Sequence, residues 1–376
     1  MAHAAEWRTT REKKDGGAEE KKAIPPGWCV EAVSTRPHYA DVRTLAGFVE
    51  APTLRPDGTV AEAPGYDEAT GLYLDLRCAV PKVPESPTPD DVRRAVETLL
   101  DPVCDFPFKA KAHRAAWVAA VLTSLSRHAF DGPAPLFLVD ANTAGAGKSK
   151  LCDLVSTIAT GRDAARMTAT DNSETRKAIT ALALAGDPLV LVDNISGTFG
   201  GQAWDAALTA TTWQDRLLGR NDGGAAVNVP LAVTWLASGN NVALSDDIQR
   251  RIAHVRLESP LESPDARADF KYPNVLAHTR KHRGALIHAG LTILRGYCAA
   301  GRPAMKLTPW GSFEAWSDLV RSAVVWAGIG DPAESREELR STADGTRAAH
   351  RAVLELWEQA DPVSYTHLRA HETVLD

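Results

Sequence analysis

This chain has little with which to build a covalent framework. Its five cysteines, Cys29, Cys78, Cys104, Cys152 and Cys298, are odd in number, scattered through 376 residues and nowhere in a Cys-x-x-Cys spacing. That pattern argues against a disulfide scaffold and offers no zinc site. No apolar run approaches the ~20 residues that a membrane-spanning helix needs. The charged opening, Arg8 to Lys22, also lacks the apolar stretch of a signal peptide. The expectation is a cytoplasmic protein without a membrane partner. An excess of positive charge is missing too, since 42 Lys and Arg stand against 48 Asp and Glu, a formal net charge of −6. Any nucleic-acid contact must come from a local basic surface, not from the field of the whole molecule. Aromatic residues make up only 6% of the chain, so where they gather matters. Trp310, Trp316 and Trp326 lie among apolar neighbours of helical pattern and read as core anchors.

What is present begins with the run Leu136-Phe137-Leu138-Val139-Asp140-Ala141, an apolar strand. It enters a glycine-containing turn, Asn142-Thr143-Ala144-Gly145-Ala146-Gly147-Lys148-Ser149, and Lys150 to Ala159 then reads as a helix with Leu151, Leu154, Val155 and Ile158 on one face. Strand, turn and helix in this order make a phosphate cradle. Glycines let successive backbone N–H groups from Asn142 to Lys150 converge on phosphate oxygens at the positive end of the helix. Lys148 is placed to reach the β- and γ-phosphates, and Ser149 to ligate Mg²⁺. Asn142 occupies the position where the pattern has its first glycine, and asparagine tolerates a left-handed backbone better than most residues.

The rest of the chain divides by composition. Residues 1–24 are charged and poor in apolar residues, read as a disordered arm or a linker, with no structure assigned. Residues 25–85 hold short apolar runs split by turn signals such as Arg55-Pro56-Asp57-Gly58, a small β-rich element. Residues 86–131 are a helical lead-in, with helices over Asp90 to Leu100 and Ala110 to Phe130. Residues 132–262 form the P-loop core, whose apolar runs Leu136 to Val139, Leu189 to Val192 and Leu231 to Leu236 suit a parallel sheet covered on both faces. Residues 263–362 are mainly helical. The end, 363–376, resembles the translation of a sequencing adapter and is set aside as non-native, so His367 and His371 are not read as metal ligands.

Further polar residues fall at strand ends, where α/β sheets bind ligands. Leu189 to Val192 delivers Asp193, placed to hold Mg²⁺ beside Ser149, followed by Asn194. An amide can orient a water but cannot accept its proton at neutral pH, so turnover is either slow or borrows a carboxylate such as Glu174. A third strand ends in Ser238-Gly239-Asn240-Asn241, where Asn240 can touch a γ-phosphate. Arg250 and Arg251 follow. They read either as surface ion-pair residues or as a finger reaching a neighbouring subunit's nucleotide, and their place after the polar strand end favours the finger.

The order Gly147-Lys148-Ser149, then Asp193, then Asn240, then Arg250-Arg251 resembles the AAA+-related superfamily 3 helicases, especially the ATPase half of phage and plasmid primase-helicases. The resemblance covers about residues 110 to 262 and implies an α/β P-loop NTPase (AAA+-like) fold. It implies ATP and Mg²⁺ as cofactors and Lys148, Asp193, Asn194, Asn240, Arg250 and Arg251 as the catalytic set. It further implies a ring-shaped homo-oligomer, a hexamer, acting on single-stranded or forked DNA. Between the second and third strands that family carries a DNA-gripping hairpin. The matching stretch has Arg216 and Arg220 and a turn at Asn221 to Gly224, but no lysine or aromatic at its tip. Asn142 and Asn194 are further departures. They leave a second reading open, a nucleotide-gated assembly or regulatory module with little hydrolysis.

Overall fold

The computed structural model describes residues 7–12, 18–34, 39, 42–168, 171–216, 226–260, 264, 267, 269–337, 339, 353 and 356. Two compact units divide the chain, residues 1–45 and 46–376. In the first, Arg8–Glu12 pairs antiparallel with Ala18–Lys22, and Gly27–Ser34 is a helix. The opening segment, assigned no structure from its composition, thus contains a backbone-bonded antiparallel strand pair. That pairing depends on main-chain ladder bonds rather than on apolar burial, so hydropathy gave no sign of it. The set-aside tail, residues 363–376, lies outside the described residues.

The second unit opens with short strands. Gly47–Val49, Leu72–Leu74 and Gly65–Asp67 form one sheet, and Thr53–Leu54 pairs with Val60–Ala61 across the Pro56-Asp57-Gly58 turn. Gly58 there has φ +86°, the left-handed region a side chain resists. Helix α1 (Pro89–Leu100) starts at Thr88, whose hydroxyl accepts from the Asp91 amide while the Asp91 carboxylate accepts from the Thr88 amide. This reciprocal cap and the proline at the first helical position set the start. Helix α2 (Lys111–Ser126) is almost wholly buried.

The core follows as β1 (Leu136–Ala141), α3 (Lys148–Thr160), β2 (Ala165–Met167), α4 (Asn172–Ala185), β3 (Leu189–Ile195), α5 (Gln202–Ala207), β4 (Thr234–Asn240), α6 (Asp246–Gln249) and β5 (Ile252–Leu257). The five strands are parallel, in the order β5-β1-β4-β3-β2. One face of the sheet packs Phe137, Val139 and Leu191 against α2, α3 and the buried Trp316. The other packs Leu138, Val190 and Trp235 against Ile179 of α4 and Trp204 of α5. Burial on both faces is why β1 is buried at all six positions and shows no polar alternation.

Two strands escape an apolar-run reading. β2 is only three residues long, and β5 carries His254 and Arg256. Those two are accommodated because β1 supplies a buried acid: Arg256 pairs with Asp140 at 2.6 Å and His254 lies 3.5 Å from the same carboxylate. The third strand also starts later than its apolar run, at Thr234, and continues to Asn240.

Helices α7 (Val275–Lys281) and α8 (Arg283–Ala299) follow, and a helical stretch runs from Glu314 to Trp326. Trp310 and Trp316 are fully buried and Trp326 partly so, as core anchors should be. The indoles of the two fully buried ones have partners: Trp316 donates to Thr123 Oγ1 at 2.8 Å and Trp310 to the Arg250 carbonyl at 2.9 Å. No helix of the described residues is long and apolar enough to cross a membrane.

Candidate nucleotide site

The strand order places β4 between β1 and β3, so the turn after β1 faces the ends of both strands expected to serve it. Gly145 and Gly147 have φ +76° and +90°, and Gly147 also caps the N-terminus of α3. A Cβ on Gly147 would stand 2.9 Å from the Phe106 ring, so glycine is required there twice over. Between Thr143 and Lys150 no backbone N–H donates to a carbonyl of a described residue. These amides, with the exposed end of α3 behind them, form a concentrated donor set for anionic oxygens.

Asn142 departs from its sequence reading. It does not take the left-handed backbone that would have explained an asparagine in a glycine's place. Its side chain instead locks the loop to the segment after β5: Nδ2 donates to the Ser259 carbonyl at 3.0 Å, and Oδ1 accepts from the Ser259 amide at 3.1 Å. Thr143, Ala144 and Ala146 complete the turn, with Ala146 buried.

Lys148 Nζ donates to Asn240 Oδ1 at 2.6 Å, which brings the loop lysine and the β4 amide together. Burial pulls the Lys148 ammonium below its ordinary range, against the opposing pull of Asp140 and Asp193. Ser149 Oγ donates to Asp193 Oδ1 at 3.3 Å, and Ser238 Oγ donates to the same oxygen at 2.7 Å. Burial raises the Asp193 carboxyl, but the Ser238 hydroxyl and the Arg166 guanidinium outweigh it and hold the group below its usual range. A hydroxyl and an ionised carboxylate, side by side at the end of a phosphate cradle, are hard oxygen donors that fit Mg²⁺.

Sequence reasoning missed three members of this cluster. Ser238 shares the face of β4 with Asn240, a signal available from strand alternation. Asp153 lies one helical turn beyond Ser149 on α3, a signal available from helical spacing. Arg166 gave none, because β2 is too short for periodicity. Its guanidinium bonds Asp193 Oδ2 through one nitrogen and Asp153 Oδ1 through the other, the latter at 2.7 Å.

Asn194 is exposed, with φ +55°, where the β3–β4 register shifts between Val192 and Ile195. Its amide donates to Ser238 Oγ at 3.2 Å. A left-handed bulge residue explains asparagine here better than any role as a base, since asparagine accepts that backbone and glutamate resists it. Glu174, the carboxylate considered as a substitute base, is exposed on α4 and paired with Lys177 at 2.6 Å.

The two arginines separate. Both precede β5, and the Arg251 carbonyl accepts from the Leu136 amide, so they sit at the edge of the sheet opposite the phosphate loop. Arg250 is exposed and paired with Asp247 at 2.8 Å. Arg251 is buried and ion-paired with Asp205 of α5. The finger expected of Arg251 is therefore not available from this conformation, because its guanidinium already compensates a half-buried carboxylate.

A cavity of about 400 Å³ adjoins the loop, walled by Phe106, Pro107, Gly145, Ser259, Phe270 and Tyr272. Asp105, Lys150 and Arg267 line it as well, so apolar walls stand beside charged groups, a mix that suits an organic ligand with polar substituents. Thr212–Arg216 and Ala226–Pro230, between β3 and β4 in the chain, pair antiparallel. The turn expected at Asn221 to Gly224, with Arg220, lies outside the described residues.

No protein-family profile and no curated protein matches the chain. Solved structures are similar to it. An apo structure of the NrS-1 C-terminal region matches with 12% identity and TM-score 0.34, over 69% of this chain and 57% of that one. SCCmec type IV Cch, described as an active helicase, matches with 13% identity and TM-score 0.37, over 89% of this chain and 67% of that one. The JCV helicase matches with 12% identity and TM-score 0.30, over 67% of each chain. This chain thus spans little more than half the length of the NrS-1 structure. Two of the three are helicases by name, while the α/β P-loop core is read from this chain's own strand order, loop and strand-end residues.

Proposed function

We propose that the chain binds Mg²⁺·ATP and hydrolyses it as a helicase-like motor on single-stranded or forked DNA, in the replication of a phage, plasmid or other mobile element. The observation that carries this reading is the convergence of Lys148 on Asn240 and of Ser149 on Asp193, at the mouth of a loop whose amides are unspent. In this reading the amides of Thr143 to Lys150 hold the phosphates, and Lys148 reaches the β- and γ-oxygens. Ser149 and Asp193 hold Mg²⁺, which offsets charge on the transferring phosphoryl group. The cavity beside Phe106 and Tyr272 takes the base. Asn240 leaves Lys148 to report the terminal phosphate. Arg250, exposed at the far sheet edge, suits contact with a second copy's nucleotide in a ring, a hexamer by the family resemblance. The antiparallel pair between β3 and β4 stands where that family grips DNA.

One observation favours the second reading. Asn194 presents no carboxylate beside Asp193, so a nucleotide-gated assembly with little turnover fits the same site. Titration with a fluorescent ATP analogue, together with phosphate release measured with and without single-stranded DNA, separates the two. Saturable Mg²⁺-dependent binding that falls at least about tenfold in Lys148→Ala is expected, with phosphate release stimulated by DNA. Binding and assembly without phosphate release would select the second reading. Absence of any saturable nucleotide binding would reject both.

A further inference from the structure

Asp193 serves two masters. Its Oδ1 faces Ser149 and Ser238, on the side where Mg²⁺ is placed above. Its Oδ2 is taken by Arg166, whose second nitrogen reaches Asp153 at 2.7 Å. Arg166 is the middle residue of β2 and pairs in register with Leu191, two positions before Asp193. Its side chain is 40% exposed, so it can re-aim without crossing packed core. A divalent ion on one oxygen and a guanidinium on the other are like charges within the width of one carboxylate. Partial burial leaves them incompletely screened. A terminal phosphate offers the guanidinium an acceptor of higher charge and matching fork geometry.

We propose that Arg166 is the residue by which this site distinguishes a nucleoside triphosphate from a diphosphate: a guanidinium kept on Asp193 and Asp153 without nucleotide, and transferred to the terminal phosphate when Mg²⁺·triphosphate binds. The proposal rests on the nucleotide reading above and goes beyond it by supplying, from within one subunit, a cation that the buried Arg251 does not. With a diphosphate the acceptor is missing, so Arg166 stays on Asp193 and opposes the metal.

The test is displacement of a fluorescent nucleotide by a non-hydrolysable ATP analogue and by ADP across a Mg²⁺ series, in the wild type, Arg166→Ala and Arg166→Lys. In Arg166→Ala, triphosphate affinity should fall about tenfold while ADP affinity holds within about twofold. The Mg²⁺ concentration needed for ADP binding should fall, because a competitor is gone. Arg166→Lys should recover part of the discrimination. Equal loss of both nucleotides, or a rise in the Mg²⁺ requirement, would overturn the proposal and leave Arg166 as a brace for Asp193. Should Arg166→Ala fail to fold by circular dichroism, Arg166→Gln, which keeps a donor for Asp153, carries the same comparison. A wild type that binds neither nucleotide would instead remove the reading on which the proposal rests.

Discussion

At the scale of single residues, burial and neighbouring charges move the titration of side chains away from where water alone would set it. His128, just past the end of α2, is the clearest: burial, with the neighbouring Arg127 adding to it, pushes its imidazole down from the ordinary value to about 4. The folded protein therefore keeps His128 neutral where the unfolded chain, titrating near 6.5, binds a proton. Between about pH 6.5 and 4 the unfolded state holds more protons, so this contribution is whole above 6.5 and is lost as the pH falls toward 4. A displacement of this size corresponds to at most about 3 kcal/mol. Urea unfolding at pH 7, 6, 5 and 4 should show that decline, and His128→Gln should flatten it. An unchanged slope in the variant would assign the acid sensitivity to other groups.

At the scale of elements, the end of β3 shows how a strand can alter the chemistry of the residue it delivers. Asp193 is still in the strand, but the register slips before Ile195 and Asn194 turns left-handed. Asn194→Glu, the change that would supply a candidate base, must place a longer, unbranched side chain on that left-handed backbone at a cost of roughly 1 kcal/mol of stability. The expected result is a fall in Tm without gain in phosphate release, whereas a gain would show that the bulge tolerates a base. The loop and two of its partners, Asp193 and Asn240, were legible in sequence, because an apolar run, a glycine turn and a polar strand end are local patterns. β2 and β5 were not, since β2 is shorter than any period and β5 places His254 and Arg256 where an apolar run is expected. What lets β5 carry those two side chains is Asp140 on the neighbouring strand, and that is a tertiary fact.

At the scale of the whole molecule, the sheet separates its two edges: the phosphate loop and Asn240 at one, Arg250 and Arg251 at the other. The arginine pair therefore stands at a different edge from the glycine loop of the same chain, so the finger role proposed for it needs a second copy. Arg251→Ala should lower stability by about 1–3 kcal/mol, because it abandons the half-buried Asp205. Arg250→Ala should leave stability within about 0.5 kcal/mol. If Arg250 reaches a neighbour, that variant should also lose phosphate release and regain part of it when mixed with Lys148→Ala protein, whereas full activity of Arg250→Ala alone would remove it from the site. Local order along the chain determined by itself the succession of strand, glycine turn and helix, since each part needs only its own neighbours in sequence. Which arginine is exposed, that Arg166 holds Asp193, and that Asn142 ties the loop to Ser259 were decided only in three dimensions. Those roles depend on which charges and amides the sheet order brings within reach, and residues far apart in the chain carry no pattern that announces it.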